Sequence, residues 1–153
     1  MTDRAAAPGL LARLHALLAT AVPLSLILLS ARIGIAGVFF KSGLTKVDGD
    51  WQVTDLAIIL FREEYKVPLL PPELAAHLGA YTELTMPVLL AIGLFSRFAA
   101  LPLLGMTAVI GLFIYPAAWD THLTWAALLL LIIARGPGLV SLDALLGLDR
   151  ASR

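Results

Sequence analysis

Four apolar runs of about twenty residues each, at roughly 22–40, 72–95, 97–115 and 117–135, leave this chain little choice but to cross a bilayer. A helix of that length spans a hydrocarbon core of about 30 Å and satisfies every backbone N–H and C=O group within itself. Composition agrees: the chain is 59% hydrophobic and only 14% charged, with mean hydropathy +0.90, whereas soluble domains average about 25% charged residues. The expected fold is therefore all-α, a polytopic membrane four-helix bundle, with an amphipathic helix in the first extramembrane loop.

Local signals place the breaks. Pro23 and the run Pro71-Pro72-Glu73 suit helix starts, where a missing amide proton matters least and an acid complements the dipole. Phe95-Ser96-Arg97 is the whole connection between the second and third runs, so these form an antiparallel hairpin, and Gly136-Pro137-Gly138 stops the fourth. Ser30, Gly34 and Gly37 in the first span, and Gly105, Ala108 and Gly111 in the third, are expected to permit close helix contact. Residues 22–146 thus form the membrane domain, followed by a tail at 147–153. Ahead of it, residues 1–21 carry Arg4, Arg13 and His15 beside Leu10, Leu14, Leu17 and Leu18, the pattern of an interfacial amphipathic segment. The apolar run continuing to Phe40 is too long for a signal-peptide core, so the segment reads as retained. Within the 41–76 connection, Val53, Leu56, Ala57, Leu60 and Phe61 recur at helical spacing opposite Asp55, Arg62 and Glu63. That helix either caps the bundle or acts as a lid or docking surface.

Several function classes drop out. With 11 acidic and 11 basic residues, nucleic acid is not an expected partner. No cysteine is present, which removes thiolate metal sites and dithiol redox chemistry. There is no helical histidine pair, phosphate-cradling glycine loop or GxSxG turn. Asp120 and His122 lack a third ligand nearby in sequence, so no metal is expected. No cofactor is expected to be covalently bound, and an autonomous redox enzyme is not indicated.

Arg32 and Glu83 stand out as charges inside apolar runs. An intramembrane charge costs roughly 2.5–3.5 kcal/mol even on lenient insertion scales, so such residues face a protein interior, a wet cavity or each other. Arg32 precedes Lys41 by nine residues and Glu83 follows Leu74 by nine. Each then lies roughly 13 Å from the same membrane face, and the two are expected to pair, as a structural ion pair or as part of a ligand or proton site. Pro87 frees the Glu83 carbonyl from its helical bond. Secondary candidates are His77 and Tyr81, which share a helix face and suit either a quinone head group or lipid headgroups. Lys41 and Lys46 suit interfacial snorkelling or anion binding, and Arg97 in the hairpin turn completes the set.

Arg4, Arg13, Arg97, Arg135, Arg150 and Arg153 lie on the side of the termini, against Lys41, Lys46, Arg62 and Lys66 opposite. The excess predicts cytoplasmic termini. Tyr81, Tyr115, Trp119 and Trp125 are candidate interfacial aromatics.

Taken in order, Arg32-Ile33-Gly34, Gly37-Val38-Phe39-Phe40, Ser42-Gly43-Leu44 and Lys46 open a longer pattern. It continues with Val67-Pro68, Glu83-Leu84, Gly93-Leu94-Phe95-Ser96-Arg97-Phe98-Ala99-Ala100, Gly136-Pro137-Gly138 and Ser141-Leu142-Asp143. Over residues 31–146 this order and spacing resembles the DoxX family of small four-helix bacterial membrane proteins. The resemblance implies an inner-membrane subunit or accessory of a redox- or stress/metal-related system; relatives include a thiosulfate-to-quinone oxidoreductase subunit. Some similar members are thought to neighbour genes for copper-handling peptides. It further implies a small amphipathic ligand such as quinone, a protein partner in the membrane, and room for a homo-oligomer. Fold membership alone does not set the chemistry. Two alternatives stay open: a small-solute transporter or channel, which needs a cavity reaching both faces, and a structural anchor, which needs a filled bundle and a partner footprint on the 41–76 loop.

Overall fold

The computed structural model describes residues 9–11 and 22–149, so most of the N-terminal amphipathic segment lies outside the described residues. Among the described residues six α-helices follow in order. Leu24–Leu44 is α1, Asp55–Leu60 is α2, Pro72–Ile92 is α3, Ser96–Val109 is α4, Trp119–Arg135 is α5 and Leu142–Leu145 is α6. Among the described residues four helical segments are long and apolar enough to cross a membrane: Leu24–Leu44, Pro72–Ile92, Ser96–Ile114 and Pro116–Arg135. Both α2 and α4 end in a wide π-turn, Phe61–Tyr65 and Ile110–Ile114, closed by i→i+5 bonds from Lys66 N to Phe61 O at 3.0 Å and from Tyr115 N to Ile110 O at 2.8 Å.

The spanning helices form a closed ring in which α1 packs on α3, α3 on α4, α4 on α5 and α5 back on α1. Lipid tails are as apolar as leucine, so these contacts depend on close packing rather than on excluding water. The buried set accordingly includes Ala31, Ala36, Ala75, Ala76, Ala80, Ala99 and Ala100. Around them Ile35, Phe39, Leu90, Leu103, Leu129 and Ile132 make one core.

The small residues singled out from sequence do not all serve as close-packing points. A Cβ on Gly34, Gly37 or Gly105 would meet nothing within 4 Å, whereas one on Gly43 would lie 3.0 Å from Glu83 Cβ and one on Gly111 3.2 Å from His122 Cβ. Gly43 is therefore where α1 and α3 approach most closely among the α1 glycines.

Connections are held by named bonds. Thr54 caps α2 by accepting from Ala57 N at 3.2 Å, and an isolated antiparallel bridge joins Val47 to Val53. The expected apolar face of α2 is narrower than its pattern suggested: Ala57 and Phe61 are buried while Leu56 is 75% exposed. Phe61 packs with Ala75 and Ala76 of α3. At the opposite end, α6 folds back so that both Asp143 carboxylate oxygens accept from the first N–H groups of α4, Phe95 N at 2.8 Å and Ser96 N at 3.0 Å. This side-chain cap comes from nearly fifty residues away and satisfies donors that the local sequence leaves open.

Candidate functional site

Arg32 and Glu83 do not pair. The sequence estimate assumed that α1 ends at Lys41 and that both charges share a depth. In the structure α1 continues to Leu44, and α3 overhangs that end by more than two turns. Gly43 therefore faces Glu83, and Arg32 faces Gly93 just beyond α3. Ten residues of helix, about 15 Å, separate the levels of the two charges.

Arg32, 1% exposed, lies at the terminus-side end. Its Nη2 donates to Val140 O at 2.5 Å, while Nε and Nη1 have no protein partner; Asp143 acts on it through space. Gly93 has φ +75, and a Cβ there would overlap Arg32 Nη1 and Ser141, so glycine is required on both counts. Arg97 also serves main chain and tail: it donates to Ile133 O and Ala134 O and binds Asp149 at 3.0 Å.

Glu83 is instead bound at the loop-side end by Lys46, Nζ to Oε2 at 2.6 Å, with both side chains only 4% exposed. Ser42 completes the group. Its Oγ donates to Glu83 Oε1 at 3.2 Å, and Lys46 Nζ donates to Ser42 Oγ at 2.9 Å and to Ser42 O at 3.2 Å. Ser42 and Lys46 lie one turn apart at the C-terminal end of α1, where a cation complements exposed carbonyls. Lys46 is thus not the snorkelling lysine that a helix-end position suggests. Lys41 is exposed and stands outside the group.

Beside this ion pair is a cavity of about 400 Å³ whose walls are overwhelmingly apolar. Phe39 and Trp125 meet at 5.6 Å between ring centroids, and His122 stands edge-on to Trp125 at 5.3 Å. His122 is buried and its Nδ1 has no partner. Phe61 and Tyr65 roof the cavity in edge contact at 4.9 Å, and Tyr65 meets Tyr115 at 6.0 Å. The Tyr115 hydroxyl donates to Glu64, which holds its pKa well above the ordinary phenol value. Burial likewise raises that of Tyr65, with Glu83 and Glu64 adding to it.

His77 and Tyr81 do share a face, 6.3 Å between ring centroids, but they sit beside the cavity-lining positions 78, 79, 82 and 83 rather than among them. His77 Nδ1 bonds Glu73 O at 2.7 Å and the Tyr81 hydroxyl donates to Trp51 O at 3.4 Å. Among the described residues no three His, Asp or Glu side chains cluster as a metal site; Asp120 is exposed and His122 buried.

Sequence reasoning missed His122 and Trp125 as wall residues and Phe61 and Tyr65 as a roof. For the last two the available signal was the i, i+4, i+8 series Ala57, Phe61, Tyr65 facing Ala75 and Gly79. For Trp125, its place two turns inside the fourth span argues against an interfacial belt.

The sequence profile of DoxX matches residues 27–116. An uncharacterized protein of Haemophilus influenzae is 32% identical over 128 residues, which cover 78% of this chain and 82% of that protein. No solved structure matches the chain.

Proposed function

The chain belongs to the DoxX family, and on that premise we propose that this multi-pass membrane protein binds a small amphipathic ligand in its loop-side cavity. It acts there as a non-catalytic accessory of a redox- or stress/metal-related system of the bacterial inner membrane. The observation that carries this reading is a Lys46–Glu83 ion pair, nearly inaccessible to solvent, set into the wall of an apolar cavity of about 400 Å³. Ligand pockets combine apolar walls with a few placed polar groups in this way, and their volumes run from about 300 to 1,000 Å³. A quinone head suits the site: Phe39, Tyr65 and Trp125 flank a ring, and the polar group of Ser42, Lys46 and Glu83 lies at one end. The dense terminus-side end, where Arg32, Gly93 and Ser141 meet, favours a pocket closed at that end over a channel.

A benzoquinone bearing one isoprenoid unit tests the reading on the full chain in detergent. With Trp51→Phe and Trp119→Phe in place, Trp125 is the sole tryptophan and reports the cavity. Saturable quenching is expected, weakened at least tenfold by Glu83→Gln. Purely linear, collisional quenching overturns the proposal. The proposed orientation has cytoplasmic termini, on the basis of the Lys/Arg excess. Single substitutions Asp50→Cys and Ser152→Cys in this cysteine-free chain should label with an impermeant thiol reagent in spheroplasts at position 50 only; labelling at 152 only inverts the orientation.

A further inference from the structure

Three of the four seams around the cavity are filled. Phe39 against Trp125 closes the seam between α1 and α5, His122 against Gly111 closes that between α4 and α5, and Gly43 against Glu83 and Leu84 closes that between α1 and α3. The fourth seam, between α3 and α4, is different. Leu78 on α3 and Pro102 and Gly105 on α4 line the cavity and are also exposed, whereas among the described residues α1 and α5 together contribute the exposed lining residue Val38 alone, and a Cβ on Gly105 would meet nothing within 4 Å.

The sequence supplies a cause. Pro87 lies five residues before the end of α3 and Pro102 six after the start of α4, so the two prolines are level across the hairpin. Each removes a helical hydrogen bond, to Glu83 O and to Phe98 O respectively, and favours a bend there. Between the prolines and the turn, Leu90, Ala99 and Ala100 pack in the core; on the other side of them lies the cavity. Gly105 is nine residues from either end of the span Ser96–Ile114, which puts the gap at the depth of the hydrocarbon.

From this we infer that the cavity is entered sideways from the bilayer between α3 and α4, and that its ligand is a chain-bearing membrane amphiphile. The compact polar head reaches Ser42, Lys46 and Glu83, and the apolar chain lies across Pro102 and Gly105 into lipid. The cavity volume of about 400 Å³ is near the lower end for ligand pockets and holds a ring-sized head, so a long chain has to leave through this gap. The inference rests on the reading of the cavity as a ligand site, and the test separates the two.

The full chain in nanodiscs is compared with Gly105→Trp and Leu78→Trp, which fill the gap from opposite lips, using benzoquinones with one and with eight isoprenoid units as probes. Thermal unfolding of each variant confirms that it is folded. Binding of the eight-unit probe is expected to fall at least tenfold in Gly105→Trp and Leu78→Trp while the one-unit probe binds as before. Undiminished binding of the eight-unit probe to both variants overturns the side entry and leaves the pocket reading standing. Equal loss of both probes also overturns it, because the head rather than the chain then occupies the gap. Failure of the one-unit probe to bind the unaltered chain removes the pocket and the side entry together.

Discussion

At the terminus-side end of the bundle the charged groups serve main chain: Arg32 donates to Val140 O, Arg97 donates to Ile133 O and Ala134 O as well as to Asp149, and Asp143 accepts from Phe95 N and Ser96 N. At the loop-side end Lys46, Glu83 and Ser42 bond to one another in the cavity wall. The first arrangement fastens the hairpin turn and the fold-back of α6, where backbone groups would otherwise be left without partners. The second keeps two charges at low exposure beside a cavity wall, and well-packed apolar residues would serve stability as well or better. Chain closure therefore accounts for Asp143, Arg97 and one nitrogen of Arg32, whose Nε and Nη1 have no protein partner, while the loop-side group is the basis of the proposed ligand site.

The sharpest way to break that contrast is to remove charges one at a time. Lys46→Met or Glu83→Gln leaves an uncompensated buried partner and should destabilise by about 3–5 kcal/mol. The double replacement should cost well under the sum, by chemical unfolding in one detergent. The Arg32→Leu and Glu83→Gln pair should instead be additive to within about 0.5 kcal/mol, as expected for separated sites. Strong coupling in that second cycle would restore the pairing read from sequence and dissolve the distinction between the ends.

That misreading shows where sequence information stops. Each spanning helix was legible because length and hydropathy are properties of a single segment, and so was the amphipathic α2 over Phe61. Register between α1 and α3 is a property of two segments and of the 45–71 connection between them. Because α1 runs on to Leu44, Lys46 is carried down to Glu83 and Arg32 is moved to Gly93. Nothing in the local residues announces this except Gly43, whose missing side chain lets α3 approach. The cap from Asp143 to α4 was hidden for the same reason, since its partners lie 47 and 48 residues away.

Two glycines sharpen the comparison at lower energy. Gly93→Ala forces a side chain into a positive-φ position against Arg32 and Ser141, and strain of that kind costs on the order of 1–3 kcal/mol. Gly105→Ala enters open space within a helix, where alanine is favoured over glycine by about 0.8–1.0 kcal/mol. Thermal unfolding in a common detergent should lower the midpoint for the first and leave it unchanged or raised for the second. A destabilised Gly105→Ala would mean that the gap is closed in solution.

The smallest effect concerns the cavity roof, where Tyr115 donates to Glu64 and joins the two π-turns through Tyr65. That bond holds the proton on Tyr115 beyond the ordinary phenol pKa of about 10. Above this value the folded chain retains a proton that the unfolded chain has lost. The contribution is therefore fully present below pH about 10 and disappears as pH rises through the folded value. Tyr115 is 41% exposed, so Tyr115→Phe should cost no more than about 1 kcal/mol. Because lysines titrate in the same range, the informative quantity is the difference in unfolding midpoint between the unaltered chain and Tyr115→Phe, followed from pH 8 upward. It should be constant to about pH 10 and shrink beyond. A difference that persists unchanged into strong alkali would show that the ring of Tyr115, and not its bond to Glu64, fastens the roof.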